Sequence, residues 1–96
     1  MSHLVICDEE KQQFRIHLEQ NEFAVVKYTF IAPNCYVIES TKVPERLQGK
    51  GYGSVMMESV LSVIESRQGK IDSRCSYVSY YLDRHSQWQH LLVDEL

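Results

Sequence analysis

Ninety-six residues, 44% hydrophobic and 24% charged, suit one globular domain over residues 1–96 and exclude a disordered chain. A net charge of −3 with scattered basic residues argues against a nucleic-acid face. No apolar run exceeds four residues, which excludes a membrane-spanning helix, and MSHLVICDEEK lacks the pattern of a signal peptide.

LVIC is a short β-prone run closed by the polar turn DEEKQ. In FRIHLE the residues Phe14, Ile16 and Leu18 fall on one face with period two. After the turn EQN, EFAVVKYTFIA reads as a central strand, apolar on both faces. Ala24, Val26, Tyr28 and Phe30 line one side; Phe23, Val25 and Ile31 line the other. Pro33 and Asn34 break it, and CYVIESTKV follows as a further strand. Such short connections predict an antiparallel meander.

From Val55 the period changes. Met56, Met57, Val60, Leu61, Val63 and Ile64 recur at helical spacing, and Gly69 is placed to cap the helix end. KIDSRC is too short for a helix and reads as a strand, parallel to its predecessor across the helix. Ser76 then caps a short helix, YVSYYLDR, and Ser86 with Gln89 matches a capping box for a last turn. Cys7, Cys35 and Cys75 are odd in number and have no zinc-ligand spacing, so no metal is expected. Free thiols fit a reducing compartment, and the expectation is a soluble cytoplasmic protein.

Between strand and helix lies VPERLQGKGYGSVMM, with three of the chain's four glycines. Bare backbone at a helix N-terminus offers unpaired N–H groups at the positive end of the dipole, a site for phosphate oxygens. It also serves as an ordinary tight turn. The Walker A pattern is absent, and Ser54 stands where the dinucleotide pattern needs its third glycine.

Gln48, Gly51 and Gly53 do form Q-x-x-G-x-G. This resembles the pyrophosphate motif of the GNAT acetyltransferase superfamily, and the element order resembles the GNAT core. STKVP, the glycine turn and CSYVSYYLDRH further resemble a subfamily of small single-domain GNAT-like proteins, over about residues 13–92. Thr41, Val43, Pro44, Cys75, Tyr77, Val78, Tyr81, Arg84 and His85 match its pattern. Ser40 stands where that subfamily often has His, and Ser76 and Ser86 where proline is common, which leaves the general base unassigned.

The resemblance implies an α+β fold of the GNAT type, with an antiparallel meander, a helix, a parallel strand and short C-terminal helices. It implies acetyl-coenzyme A as co-substrate and acetyl transfer to an amine. The backbone N–H groups of Gln48, Gly49, Lys50, Gly51, Tyr52, Gly53 and Ser54 would hold the diphosphate. Pantetheine would run beside the strand ending at Val43, where a backbone N–H would stabilise the oxyanion.

A tyrosine is expected to protonate the leaving thiolate, Tyr81 first and Tyr77 second, unless both only pack. Cys75, where the last strand meets a helix N-terminus, is either an acyl-accepting thiolate or an inert small residue. His85 is either a base or a helix-end cation, and Arg46 and Lys50 either meet phosphates or are surface charge. His17 and His90 have no evident partner, and Glu39 is either a proton acceptor through water or part of a solvated face. The short strand connections leave out the helices that build the acceptor cleft in larger GNAT enzymes. The acceptor site is therefore expected to be open, suiting a protein or peptide amine. The alternatives are a non-catalytic coenzyme A-binding module or an interaction domain that keeps only the fold.

Overall fold

The computed structural model describes residues 3–93. Hairpins build most of the sheet. Strands β1 (Val5–Asp8), β2 (Gln13–Glu19), β3 (Glu22–Ile31) and β4 (Cys35–Lys42) pair antiparallel in chain order. Helix α1 (Tyr52–Ser66) then leads to β5 (Lys70–Ser73), which joins β4 in parallel, giving the order β1-β2-β3-β4-β5. Helix α2 (Ser76–Arg84) and a 3-10 turn (Ser86–Leu91) come next; another 3-10 turn (Glu45–Leu47) precedes the glycines. Among the described residues no helix is long and apolar enough to cross a membrane.

Alternation is realised as read in β2, where Phe14, Ile16 and Leu18 are buried. They form one cluster with Ala24, Val26 and Tyr28 of β3, Ile38 of β4 and the stripe Met56, Met57, Val60, Leu61 and Ile64 of α1. Full burial of each such side chain contributes roughly 1.5–3 kcal/mol, so packing rather than helix propensity holds α1 in place. Val78, Tyr81 and Leu82 bring α2 into the same cluster.

The second face of β3 departs from expectation. The strand is central in the sheet, but Phe23 and Val25 are only half-buried and Ile31 is exposed. No helix joins the cluster through these residues. Phe30, assigned to the buried side, is also exposed; it packs edge-on against Tyr36 at 5.1 Å, near the end of the strand.

Strand β4 is irregular at one point. Lys27 pairs with Ser40 but Tyr28 pairs with Ile38, so Glu39 has no partner on β3. This is a β-bulge, and it inverts the alternation beyond it. Tyr36 and Ile38 point to the helices before the bulge. Thr41, paired with the buried Val26, points there after it.

Element ends also differ from the sequence reading. Helix α1 begins at Tyr52 rather than Val55, because Gly51 is the N-cap and Gly53 lies inside the first turn. Strand β5 stops at Ser73, and Cys75 rather than Ser76 is the N-cap of α2. The capping box does not form: Gln89 Nε2 donates instead to the carbonyl of Leu82 at 2.9 Å.

At the end of α1 the left-handed residue is Gln68 (φ 58°), not Gly69. The N–H of Gly69 reaches the carbonyl of Ile64 and that of Gln68 reaches Glu65, both at 2.9 Å, a Schellman pair. Gly69 is required for a different reason. A Cβ there would lie 2.9 Å from Ile64 Cγ2 and 2.9 Å from Tyr36 Cε1, and both side chains are buried. Gly69→Ala is therefore expected to destabilise the fold by about 1–3 kcal/mol. The measurement is a lower urea midpoint at unchanged slope.

Candidate active site

The chain leaves β4 through Val43 and Pro44 and makes one 3-10 turn before the glycines. Gly49 and Gly51 both have φ of 83°, in the left-handed region. A Cβ at either would touch nothing within 4 Å, so backbone conformation, not space, calls for glycine there. Among the described residues, the N–H groups of Gly49, Lys50 and Gly51 find no hydrogen-bond acceptor. They sit beside the first turn of α1, whose own N–H groups lack partners within the helix. The result is a row of main-chain donors at the positive end of a helix dipole.

Side chains tie this loop to the β2–β3 hairpin. Arg46 Nε donates to Glu22 Oε2 at 2.7 Å, and its Nη2 lies 3.9 Å from Glu19. Tyr52 donates from its hydroxyl to Glu19 Oε2 at 2.6 Å, and Gln48 Nε2 donates to the carbonyl of Val43 at 3.0 Å. The Tyr52 hydrogen bond holds the Glu19 carboxyl below its ordinary range, helped by Lys50 and Arg46 and opposed by burial. Arg46 thus belongs to the scaffold: its charge is committed to two carboxylates.

Between β4, the glycine turn and α1 opens a cleft of about 310 Å³. Its floor is apolar, made by the buried Leu47 and Met56. Of the expected binding residues, Val43, Gln48, Gly49, Gly51, Tyr52 and Gly53 line it. Lys50 and Ser54 are exposed and do not line it. Leu47, Met56 and Thr41 also line the cleft; the sequence reading placed Met56 in the helix stripe and Thr41 in the family pattern but none of the three in the site. Leu47 and Met56 carry no signal beyond their apolarity. Thr41 needed the bulge to turn it inward.

Beyond Ile38 the parallel ladder ends. The N–H of Arg74 bonds to the carbonyl of Ile38 at 2.9 Å, and the chain then turns into α2 while β4 continues to Lys42. Cys75 lies at this fork, with Sγ 3.6 Å from Thr41 Oγ1. It does not line the cleft itself; Thr41 stands between. Burial pushes the Cys75 thiol up. The neighbouring Val78 N–H, the Thr41 hydroxyl and the N–H groups of Tyr77 and Thr41 together outweigh it, and the net shift is downward; of these, the Thr41 hydroxyl is the one hydrogen-bonded to Sγ. Cys35, by contrast, is pushed up by burial and by Asp72.

The two tyrosines separate. Tyr77 lines the cleft, and its hydroxyl fills the space a Cβ on Gly53 would need. Burial pushes its pKa up, with Tyr80 and Cys75 adding to the shift, so the hydroxyl stays protonated at neutral pH. Tyr81 does not line the cleft. It is 3% exposed and stacks on the His85 ring at 3.9 Å between centroids. His85 Nδ1 donates to the carbonyl of Tyr81 at 2.8 Å, which ends α2 and gives this histidine a structural task.

His17 Nε2 bonds to the carbonyl of Gln20 at 2.6 Å, and His90 Nε2 meets Glu65 at 2.8 Å. Both partners escaped the sequence reading. Glu39 accepts from the Thr29 hydroxyl at 3.0 Å. No histidine lines the cleft. Among the described residues no group of three His, Cys, Asp or Glu is placed to hold a metal ion.

No curated protein matches the sequence. The NMR solution structure of a GCN5-like protein from Staphylococcus aureus, provisionally assigned as an N-acetyltransferase, is similar with a TM-score of 0.69 at 22% identity. The match covers 97% of this chain and 90% of that one, and at such identity it establishes the likeness of fold alone. The model of the GCN5-related N-acetyl-transferase family matches residues 13–91. With the match running from β2 through the glycine turn and α2, the chain belongs to that family.

Proposed function

We propose that the protein is an acyl-coenzyme A-dependent N-acetyltransferase that acetylates an amine on a protein or peptide. The observation that carries this reading is the row of unpaired N–H donors opening onto an apolar-floored cleft, with Cys75 just behind its wall. Such a site fits a ligand with a diphosphate and an uncharged arm. Gly49, Lys50, Gly51 and the first turn of α1 would receive the diphosphate. Leu47 and Met56 would contact the arm, and the β4 edge past Ile38 would pair with its amides. Acetyl-coenzyme A supplies an acetyl group as a reactive thioester.

Two residues then carry the chemistry. Cys75 Sγ, as thiolate, attacks the thioester carbonyl; the Sγ–acyl bond forms as the coenzyme C–S bond breaks. Tyr77 donates its proton to the departing thiolate and is reprotonated by solvent. An acceptor amine takes the acetyl group from Cys75 and restores the thiol. The strands are joined by the turns at residues 9–12, 20–21 and 32–34, with no helix inserted. That openness favours an amine carried on a macromolecule. The free thiols of Cys7, Cys35 and Cys75 favour a reducing compartment, the cytoplasm.

Calorimetry tests the loop. Wild type is expected to bind acetyl-coenzyme A, and Gly51→Val to weaken binding at least about tenfold, because φ of 83° is closed to a β-branched residue. Retained circular dichroism with a stability loss of about 1–2 kcal/mol separates this from unfolding. Equal affinities would sink the loop assignment.

Mass spectrometry after incubation with acetyl-coenzyme A is expected to show an acetyl group on Cys75 that is absent in Cys75→Ala. Because the thiol titrates below its ordinary value, acetylation should fall as pH drops through that lowered pKa and level off above it. Coenzyme binding without any transfer would leave a binding module. Tyr77→Phe should slow thiol release at least about tenfold, while Tyr81→Phe should stay within about twofold of wild type. Equal losses in both would remove Tyr77 as the proton donor.

A further inference from the structure

Thr41 owes its position to Glu39. With regular alternation from Tyr36 and Ile38, Ser40 and Lys42 would face the helices and Thr41 would face outward. The unpaired Glu39 reverses this, so Thr41 pairs with the buried Val26 and turns its hydroxyl toward Cys75. Two features make this more than a packing contact. Valine has nearly the same shape but no hydroxyl, so what threonine adds at this position is a hydrogen-bond donor and acceptor. And a thiolate accepts but cannot donate, so in the reactive form the hydrogen of this 3.6 Å contact must come from Thr41.

We propose that Thr41 is a positioning residue: its hydroxyl donates to Cys75 Sγ, fixes the sulfur at the cleft wall and favours its thiolate, and the bulge at Glu39 sets that aim. The inference rests on Cys75 as the acyl acceptor proposed above. Cys75 sits at the N-terminus of α2, and Thr41 approaches its sulfur from the facing strand with the one hydrogen bond Sγ makes among the described residues. This contact ties the sulfur to a strand residue that itself lines the cleft. When the Sγ–acyl bond forms, the sulfur loses its charge and this hydrogen bond weakens. Thr41 therefore raises the fraction of Cys75 present as thiolate before acylation, and at pH below the thiol's pKa its removal should slow the first half-reaction.

The test monitors alkylation of each cysteine by iodoacetamide from about pH 5 to about pH 10, resolved by mass spectrometry of the digest. In Thr41→Val the midpoint for Cys75 is expected to rise by about one pH unit, with Cys35 in the same sample unmoved as the internal reference. Thr41→Ser, which keeps the hydroxyl, is expected to match wild type. Thr41→Ala provides a second hydroxyl-free variant should valine prevent folding, as judged by circular dichroism. A Cys75 profile that superimposes on wild type in a folded hydroxyl-free variant overturns the proposal, as does a Thr41→Ser profile shifted as far as that of Thr41→Val. Alkylation needs no coenzyme. A shifted midpoint combined with no acetyl on wild-type Cys75 would therefore remove the acyl-acceptor reading while keeping the Thr41 contact, and the reverse pattern would remove Thr41 alone.

Discussion

Past Ile38, β4 keeps its hydrogen bonds to β3 but loses β5, which turns away at Arg74 to start α2. This fork is the constraint on which the site depends. A parallel pair zipped to its end would leave no room between β4 and Cys75, and no free main-chain groups on the edge of β4. Opened at Ile38, the same pair leaves residues 39–42 unpaired on that edge. An extended ligand with amide groups can take the place of the missing strand, as peptides do on exposed sheet edges. The sheet itself stays intact because the opening lies next to α1 and α2, whose apolar residues close the core beneath it.

The glycine turn meets an electrostatic problem that the rest of the molecule sharpens. The chain carries a net charge of −3, and Glu19 and Glu22 lie beside the turn. An anionic ligand would be repelled if those carboxylates were bare. Arg46 and the Tyr52 hydroxyl neutralise or engage them, and in doing so they anchor the loop. In the proposed site, attraction of phosphate would then fall to uncharged main-chain donors and the dipole of α1, with Lys50 as an exposed neighbour. Fixed amides suit this task. They cost no side-chain entropy on binding, and they attract an anion without adding a formal positive charge.

The strands of the meander, the stripe of α1 and the place of the glycine turn were readable because period and turn chemistry are local. Phe14, Ile16 and Leu18 alternate whether or not the sheet is known, and the resemblance to the GNAT superfamily rests on residues that the family match also spans. What escaped depends on pairing or docking. The bulge at Glu39 exists only against β3, so neither Thr41 nor its partner Cys75 could be connected from the sequence. Tyr77 and Tyr81 are one turn apart on the same side of α2, with ring centroids 6.4 Å apart. Which of them faces the cleft is set by where α2 docks. Arg46 has equal claim to a phosphate or a carboxylate until Glu19 and Glu22 are brought beside it.

The distribution of glycine shows what the fold gives up to build this site. Three turns place a glutamine in the left-handed region: Gln12, Gln20 and Gln68, with φ of 53°, 51° and 58°. Each costs on the order of 1 kcal/mol relative to a residue without a Cβ. Glycine would relieve all three, yet the four glycines stand elsewhere. Gly69 admits the close approach of Ile64 and Tyr36, and Gly53 admits the hydroxyl of Tyr77. At Gly49 and Gly51 a side chain would meet nothing, so packing gives no reason for them. Tight turning does not suffice either, since the hairpins manage it with glutamine. In this loop both left-handed residues, and Lys50 between them, leave their N–H groups unpaired beside the N-terminus of α1. A Cβ there would add bulk beside those donors. Glycine at these two positions thus combines low backbone strain with open access to the donors, as the proposed diphosphate site would require.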